Sequence, residues 1–171
     1  MIVPKINILR LMVKKAIFAS GCFWGTQHYF NKADGVIRSV VGYTGGHIPN
    51  PTYEQVSTGT TGHVEAVEVE YESSVTNYEE LAKLFFETHD PTQINGQGPD
   101  IGTQYKSVIF YKTTQEQQIA EKLVRYLIDR GMDIATKVEK AKTFYPAETY
   151  HQDYYAKTGG TPYCHIYRKL F

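Results

Sequence analysis

Val64-Glu65-Ala66-Val67-Glu68-Val69-Glu70-Tyr71 alternates with a period of two: Val67, Val69 and Tyr71 share one parity, and Glu68 and Glu70 fall on the other. Successive side chains of a strand point to opposite faces, so the stretch predicts a strand with one face on a core. Glu65 breaks the pattern, because its parity is that of the valines. A carboxylate on an apolar face loses hydration unless it is protonated or hydrogen-bonded. Glu65 is therefore either a buried acid of raised pKa or a residue just outside the strand whose side chain reaches water.

Upstream, Lys14 to Ser20 (KKAIFAS) is a short apolar run closed by Gly21, the pattern of a buried strand. Phe23 to Gly35 (FWGTQHYFNKADG) predicts a helix of about two turns or more that stops at Gly35, with Cys22 at its N-terminus. Val36 to Tyr43 is strand-like, and the Val40-Val41 pair predicts cover on both faces; Gly42 to Gly62 is a loop by composition. Downstream, Thr76 and Glu79 have capping-box spacing ahead of a stripe of Leu81, Leu84, Phe85 and Thr88. A polar loop, His89 to Lys106, leads to a strand at Ser107 to Tyr111. A second capping box, Thr113 and Glu116, opens a helix ending at Gly131, and Asp133 to Glu139 predicts one more strand. The order strand, helix, strand, strand, helix, strand predicts an α+β fold. It is the ferredoxin-like βαββαβ core, a two-layer sandwich, here with an additional helix and a long C-terminal tail. The expected boundaries are an N-terminal extension at 1–13 and a single domain at 14–171.

A chain of 171 residues has one domain's length and can bury a core of its own. With 18 Lys+Arg against 18 Asp+Glu it lacks the basic footprint of a nucleic-acid binder, and no apolar run is long enough to cross a bilayer. Lys5, Arg10, Lys14 and Lys15 interrupt the apolar N-terminus, so no export signal is read and a cytoplasmic location is expected. In that reducing compartment Cys22 and Cys164, 142 positions apart, suit a transient catalytic pairing better than a permanent bridge or a zinc site. The neutral balance gives no sign of an obligate interface, and a monomer is expected.

Cys22 stands between a strand end and a helix start, where unpaired N–H groups favour a thiolate nucleophile; the alternative is a small buried hydrophobe. Gly21 and Gly25 leave room for a ligand to approach the backbone, and Phe23 and Trp24 suit an apolar wall for a small alkyl group. Glu65 would complete a nucleophile and acid pair. Tyr53 and Tyr105, in the two polar loops, are either hydroxyl donors or packed aromatics, while Asp90 and Asp100 fit turns and His63 fits a loop. Cys164 follows the flexible stretch Thr158 to Pro162 and is either a resolving or an idle thiol. Two other readings stay open: a cysteine hydrolase in which His151 activates Cys22, and a peptide-binding module whose binding survives loss of Cys22.

GCFWG (21–25), NPTYEQV (50–56), GTTGHVEAVEVEY (59–71), HDPTQ (89–93), DIGTQYKS (100–107) and YPAE with HQDYY (145–155) together closely resemble the methionine sulfoxide reductase A family. The resemblance spans about Lys14 to Cys164. It implies a ferredoxin-like reductase of the S-epimer of methionine sulfoxide, free or in proteins. Cys22 matches the nucleophile, Glu65 the acid that protonates the sulfoxide oxygen, and Tyr53 and Tyr105 the phenols that hold that oxygen. Phe23 and Trp24 match the pocket for the substrate methyl, Asp100 a polar residue of the site, and Tyr154 a tyrosine near the pocket. Cys164 matches the resolving cysteine, whose disulfide with Cys22 is reopened by thioredoxin or dithiothreitol, with no metal or organic cofactor. The chain departs from the family pattern in having no third cysteine, in ending seven residues past Cys164, and in the Thr158 to Pro162 stretch. One-step resolution is implied.

Overall fold

The apolar run before Gly21 and the alternating run after His63 become neighbours in one sheet. A computed structural model describes residues 12–171. Its strands are β1 (Val13–Ser20), β2 (Val36–Thr44), β3 (Val64–Glu72), β4 (Gly96–Gln97), β5 (Asp100–Ile101), β6 (Ser107–Tyr111), β7 (Lys137–Lys140) and β8 (Tyr145–Pro146). The helices are α1 (Phe23–Phe30), α2 (Tyr53–Ser57), α3 (Tyr78–Glu87), α4 (Thr114–Asp129) and α5 (Tyr154–Thr158). Six strands form a mixed sheet in the order β7-β6-β1-β3-β2-β8, antiparallel except for the parallel β6–β7 edge, and β4 and β5 make a separate small hairpin. Among the described residues no helix is long and apolar enough to cross a membrane.

Phe18 of β1 lies opposite both Val67 of β3 and Ile109 of β6, and all three are fully buried. The valine parity of β3 faces α1, α3 and α4, where Phe18 stacks on Phe30 at 4.8 Å and on Phe85 at 5.6 Å. Burial of each such phenylalanine contributes roughly 1.5–3 kcal/mol. The opposite face carries a smaller cluster of Ile17, Ala19, Val64, Ala66, Val108 and Phe110 under Ala141 and Phe144. Glu65, having the parity of the valines, therefore points to the helical side.

Several boundaries differ from expectation. α1 ends at Phe30, and the chain reaches Gly35 (φ +81°) through the turn bonds Lys32 N–H to Tyr29 O and Ala33 N–H to Phe30 O. The Gly42 to Gly62 loop contains α2, whose Thr52 and Gln55 form a reciprocal capping box. His63 is no loose loop residue: it is 2% exposed, accepts the Gly46 N–H at Nδ1 and donates from Nε2 to Ile48 O. α3 is capped by Asn77, whose Oδ1 accepts the Glu80 N–H, one residue after the expected Thr76. Thr113 does cap α4, but the Glu116 carboxylate accepts from the Lys112 N–H. Only the Val41–Thr44 half of β2 is fully buried, and β7 occupies Lys137–Lys140 in place of Asp133 to Glu139. Of the expected 1–13 extension, residues 1–11 lie outside the described residues and Val13 opens β1.

Candidate active site

Gly21, at φ +92°, turns the chain from β1 into α1, and Cys22 becomes the N-cap residue, its carbonyl accepting from the Gly25 and Thr26 N–H groups at 3.2 and 3.4 Å. The room left by the two flanking glycines is taken by the protein itself. A Cβ on Gly21 would overlap Gln97, and one on Gly25 would overlap the His165 ring.

The Cys22 thiol is 7% exposed and is pushed well above the usual thiol range. A hydrogen bond with the Cys164 thiol is the largest cause and burial the second; the Trp24 backbone N–H works the other way and is outweighed. The expectation of a thiolate from the helix terminus alone is thus corrected for this closed arrangement. Glu65 is 3% exposed and its Oε2 accepts the Phe23 N–H at 3.0 Å. Burial holds its carboxyl well above the usual carboxylate range, the Cys22 charge adds to this, and the Phe23 N–H only partly offsets it. The acid is thus bonded to the peptide that joins Cys22 to Phe23.

The phenols arrive from both loops. Tyr53 opens α2, and its N–H donates to Glu148 Oε2 at 3.2 Å. Glu148 also accepts from the Tyr43 and Tyr150 hydroxyls, at 3.0 and 3.1 Å. Burial works against its ionisation, but these donors hold the carboxyl below its ordinary range. Tyr105 ends the short 3-10 turn Thr103–Tyr105; its hydroxyl is pushed up chiefly by burial. Asp100 of β5 accepts from the Tyr163 hydroxyl, 3.3 Å from each oxygen.

Phe23 is buried in the core against Tyr43 and His151, whereas Trp24 is half-buried and stacks on Tyr154 of α5 at 3.7 Å. The Trp24 indole N–H donates to His151 Nδ1 at 3.1 Å. The hydrolase reading needs His151 on Cys22, and among the described residues the imidazole is bonded to Trp24 and not to the thiol. His151 Nε2 has no partner among the described residues. No cluster of three or more His, Cys, Asp or Glu there is arranged to hold a metal.

Residues 14–171 match the family described as peptide methionine sulfoxide reductase. The chain belongs to this family. The reductase is 50% identical over 150 residues to the peptide methionine sulfoxide reductase MsrA of Nautilia profundicola, covering 88% of this chain and 87% of the relative. Its structure is similar to that of Mxr1 from Saccharomyces cerevisiae in reduced form, with a TM-score of 0.84, 37% identity and coverage of 91% and 92% of the two chains. It is also similar to Mxr1 in complex with Trx2, with a TM-score of 0.61, 27% identity and 98% coverage of each chain.

Three residues of the reductase's site escaped the sequence reading. Glu148 closes the YPAE motif but was given no role, because its contacts rest on donors from β2, α2 and its own tail. Gln97 gave no sign of packing over Gly21. His165 was visible only as the residue after Cys164, and neighbours in an extended chain usually point apart.

Proposed function

We propose that the reductase converts the S-epimer of methionine sulfoxide, free or within proteins, to methionine, with Cys22 as nucleophile and Glu65 as acid. Cys22 sulfur attacks the sulfoxide sulfur, the Glu65 proton goes to the oxygen, and the sulfoxide S–O bond breaks as that hydroxyl passes to Cys22; the proton given up by the Cys22 thiol restores the Glu65 acid, leaving methionine and a sulfenic acid. Tyr53 and Tyr105 hold the oxygen as charge develops on it; Phe23 and Trp24 take the methyl, with Asp100 and Tyr154 beside them. The observation that carries this reading is the buried Glu65 carboxyl, bonded to the Phe23 N–H of the residue after Cys22, where burial pushes it well above the usual carboxylate range. Sulfoxide bound at Cys22 replaces the Cys164 hydrogen bond, and so removes the largest influence that keeps the nucleophile protonated.

Cys164 then displaces the hydroxyl from Cys22 as water and forms a Cys22–Cys164 disulfide. A dithiol protein of the thioredoxin class, or dithiothreitol, reopens that bridge by exchange. Similarity to the yeast protein solved with Trx2 supports this choice of reductant. Neither step calls on a metal or an organic cofactor. The reading also takes residues 14–171 as one catalytic domain, acting as a monomer in the cytoplasm.

The test mixes fully reduced protein with excess methionine sulfoxide and no reductant, then counts methionine released and thiols lost by mass spectrometry. About one methionine per chain with both thiols lost to one bridge is expected. No methionine and two intact thiols would sink the reading.

A further inference from the structure

His165 lies outside the mechanism above, yet it is one of the most deeply buried polar side chains in the protein, at 1% exposure. Its Nε2 is 2.7 Å from the Ser20 carbonyl oxygen, which can only accept, so Nε2 carries the hydrogen. The Ser20 and Thr26 hydroxyls, at 3.3 and 3.4 Å, complete the cradle around that nitrogen. Burial lowers the pKa of the ring to about 4 against the bond to Ser20 and the Asp100 charge, so the imidazole is neutral and Nδ1 bears a lone pair. That lone pair stands 3.1 Å from Cys164 Sγ.

The contacts therefore form a directed chain. The Cys164 thiol donates to His165 Nδ1, and His165 Nε2–H donates to the Ser20 carbonyl, with Cys22 acting on Cys164 from its other side. The ring sits against the first turn of α1, the helix that Cys22 caps, because Gly25 has no Cβ to displace it. The Tyr29 hydroxyl also donates to the His165 carbonyl at 3.2 Å. Ring and backbone of residue 165 are thus both fastened to the nucleophile's own helix.

We propose that His165 is the base of the resolving step, its Nδ1 accepting the Cys164 thiol proton as Cys164 Sγ attacks the Cys22 sulfenic acid. The inference rests on the sulfenic-acid route given above. The Cys164 S–H and Cys22 S–O bonds break and the S–S bond forms. The proton passes from Nδ1 to the departing hydroxide, which leaves as water, and His165 returns to neutral. Cys164 is 8% exposed, so a thiolate made by bulk hydroxide is a slow substitute. The other ionisable groups that act on this cluster are Asp100, His28 of α1, His89 after α3, Tyr155 of α5, Tyr163 next to Cys164, and Glu65 beyond Cys22.

Two variants separate a base from a spacer. His165→Gln sets an amide N–H near the Nε2 position and nothing at Nδ1; His165→Asn sets an acceptor oxygen near Nδ1 that cannot take up a proton. Reduced protein is mixed with methionine sulfoxide and quenched at intervals. Methionine, the dimedone adduct of Cys22 and the Cys22–Cys164 disulfide are counted in the same samples at pH values from roughly 6 to 8, where His165 is neutral. In the parent chain the disulfide-forming rate is expected to be flat with pH. Both variants should accumulate the Cys22 sulfenic acid, form disulfide about 100-fold more slowly, and gain rate with rising pH as hydroxide takes the place of the missing base. A flat, fast disulfide step in either variant would overturn the proposal. Absence of methionine and of the dimedone adduct in the parent chain would instead overturn the sulfenic-acid route itself.

Discussion

The Phe23 N–H donates to Glu65 Oε2 over 3.0 Å, so the candidate acid is tied to the residue next to the candidate nucleophile. This one bond joins β3 to the first turn of α1 and fixes the carboxyl on the side of Cys22. It also bears on rate and stability, because the same carboxyl is held protonated by burial.

Glu65→Gln keeps an acceptor for the Phe23 N–H and removes the proton. The single-turnover rate of methionine release should fall about 100-fold, with the far-ultraviolet dichroism unchanged. An unaltered rate would remove Glu65 from the mechanism.

The same substitution should change the pH dependence of stability. Unfolded Glu65 ionises near pH ~4.3, whereas the folded carboxyl ionises well above its ordinary value. Between these two pKa values the folded state binds more protons than the unfolded one, so the Glu65 contribution falls as pH rises through that window. Each unit of separation is worth about 1.4 kcal/mol. Thermal melts should find Glu65→Gln gaining on the parent chain as pH rises from acid to neutral; a constant difference would show that Glu65 is not protonated in the fold.

Cys164→Ser should release about one methionine per chain and then stop with Cys22 as a sulfenic acid, and should be inert in turnover with a dithiol protein. Cys164→Ala removes the largest influence that raises the Cys22 pKa. Ultraviolet thiolate titration should place Cys22 lower in that variant than in the parent. A Cys22 titration that stays where it was would mean that burial, not Cys164, sets its protonation.

Gly25→Ala places a Cβ where the His165 ring lies. Overpacking of this kind costs about 1–3 kcal/mol, to be read as a lower denaturant midpoint at unchanged slope. The shifted ring should also slow formation of the Cys22–Cys164 bridge in a quenched single turnover. A variant of parental stability and parental bridge formation would show that the ring is not held against α1.

Much of the secondary structure was legible because its signals are local. The β3 alternation, the Thr113 cap and the KKAIFAS run each act within a few residues, and each appears within a residue or so of its predicted place. The misses have both a local and a long-range cause. Asn77 outcompeted Thr76 because both are good cap residues and only the backbone dihedrals choose between them. β8 is two residues long and exists only because Gly42 and Tyr43 of β2 offer it an edge.

The sequence by itself determined the long strands and helices, the family, and the odd parity of Glu65, because periodicity and motif spacing depend only on neighbours along the chain. Only the tertiary structure decided the protonation of Cys22. The helix terminus favours a thiolate, but the thiol 142 positions away and the surrounding burial act more strongly in the opposite direction. The same holds for His165, whose tautomer is set by Ser20, 145 positions earlier in the chain. Electrostatics and hydrogen bonds act through space over a few ångströms, so their sign at a site is settled by which distant segments the fold packs against it.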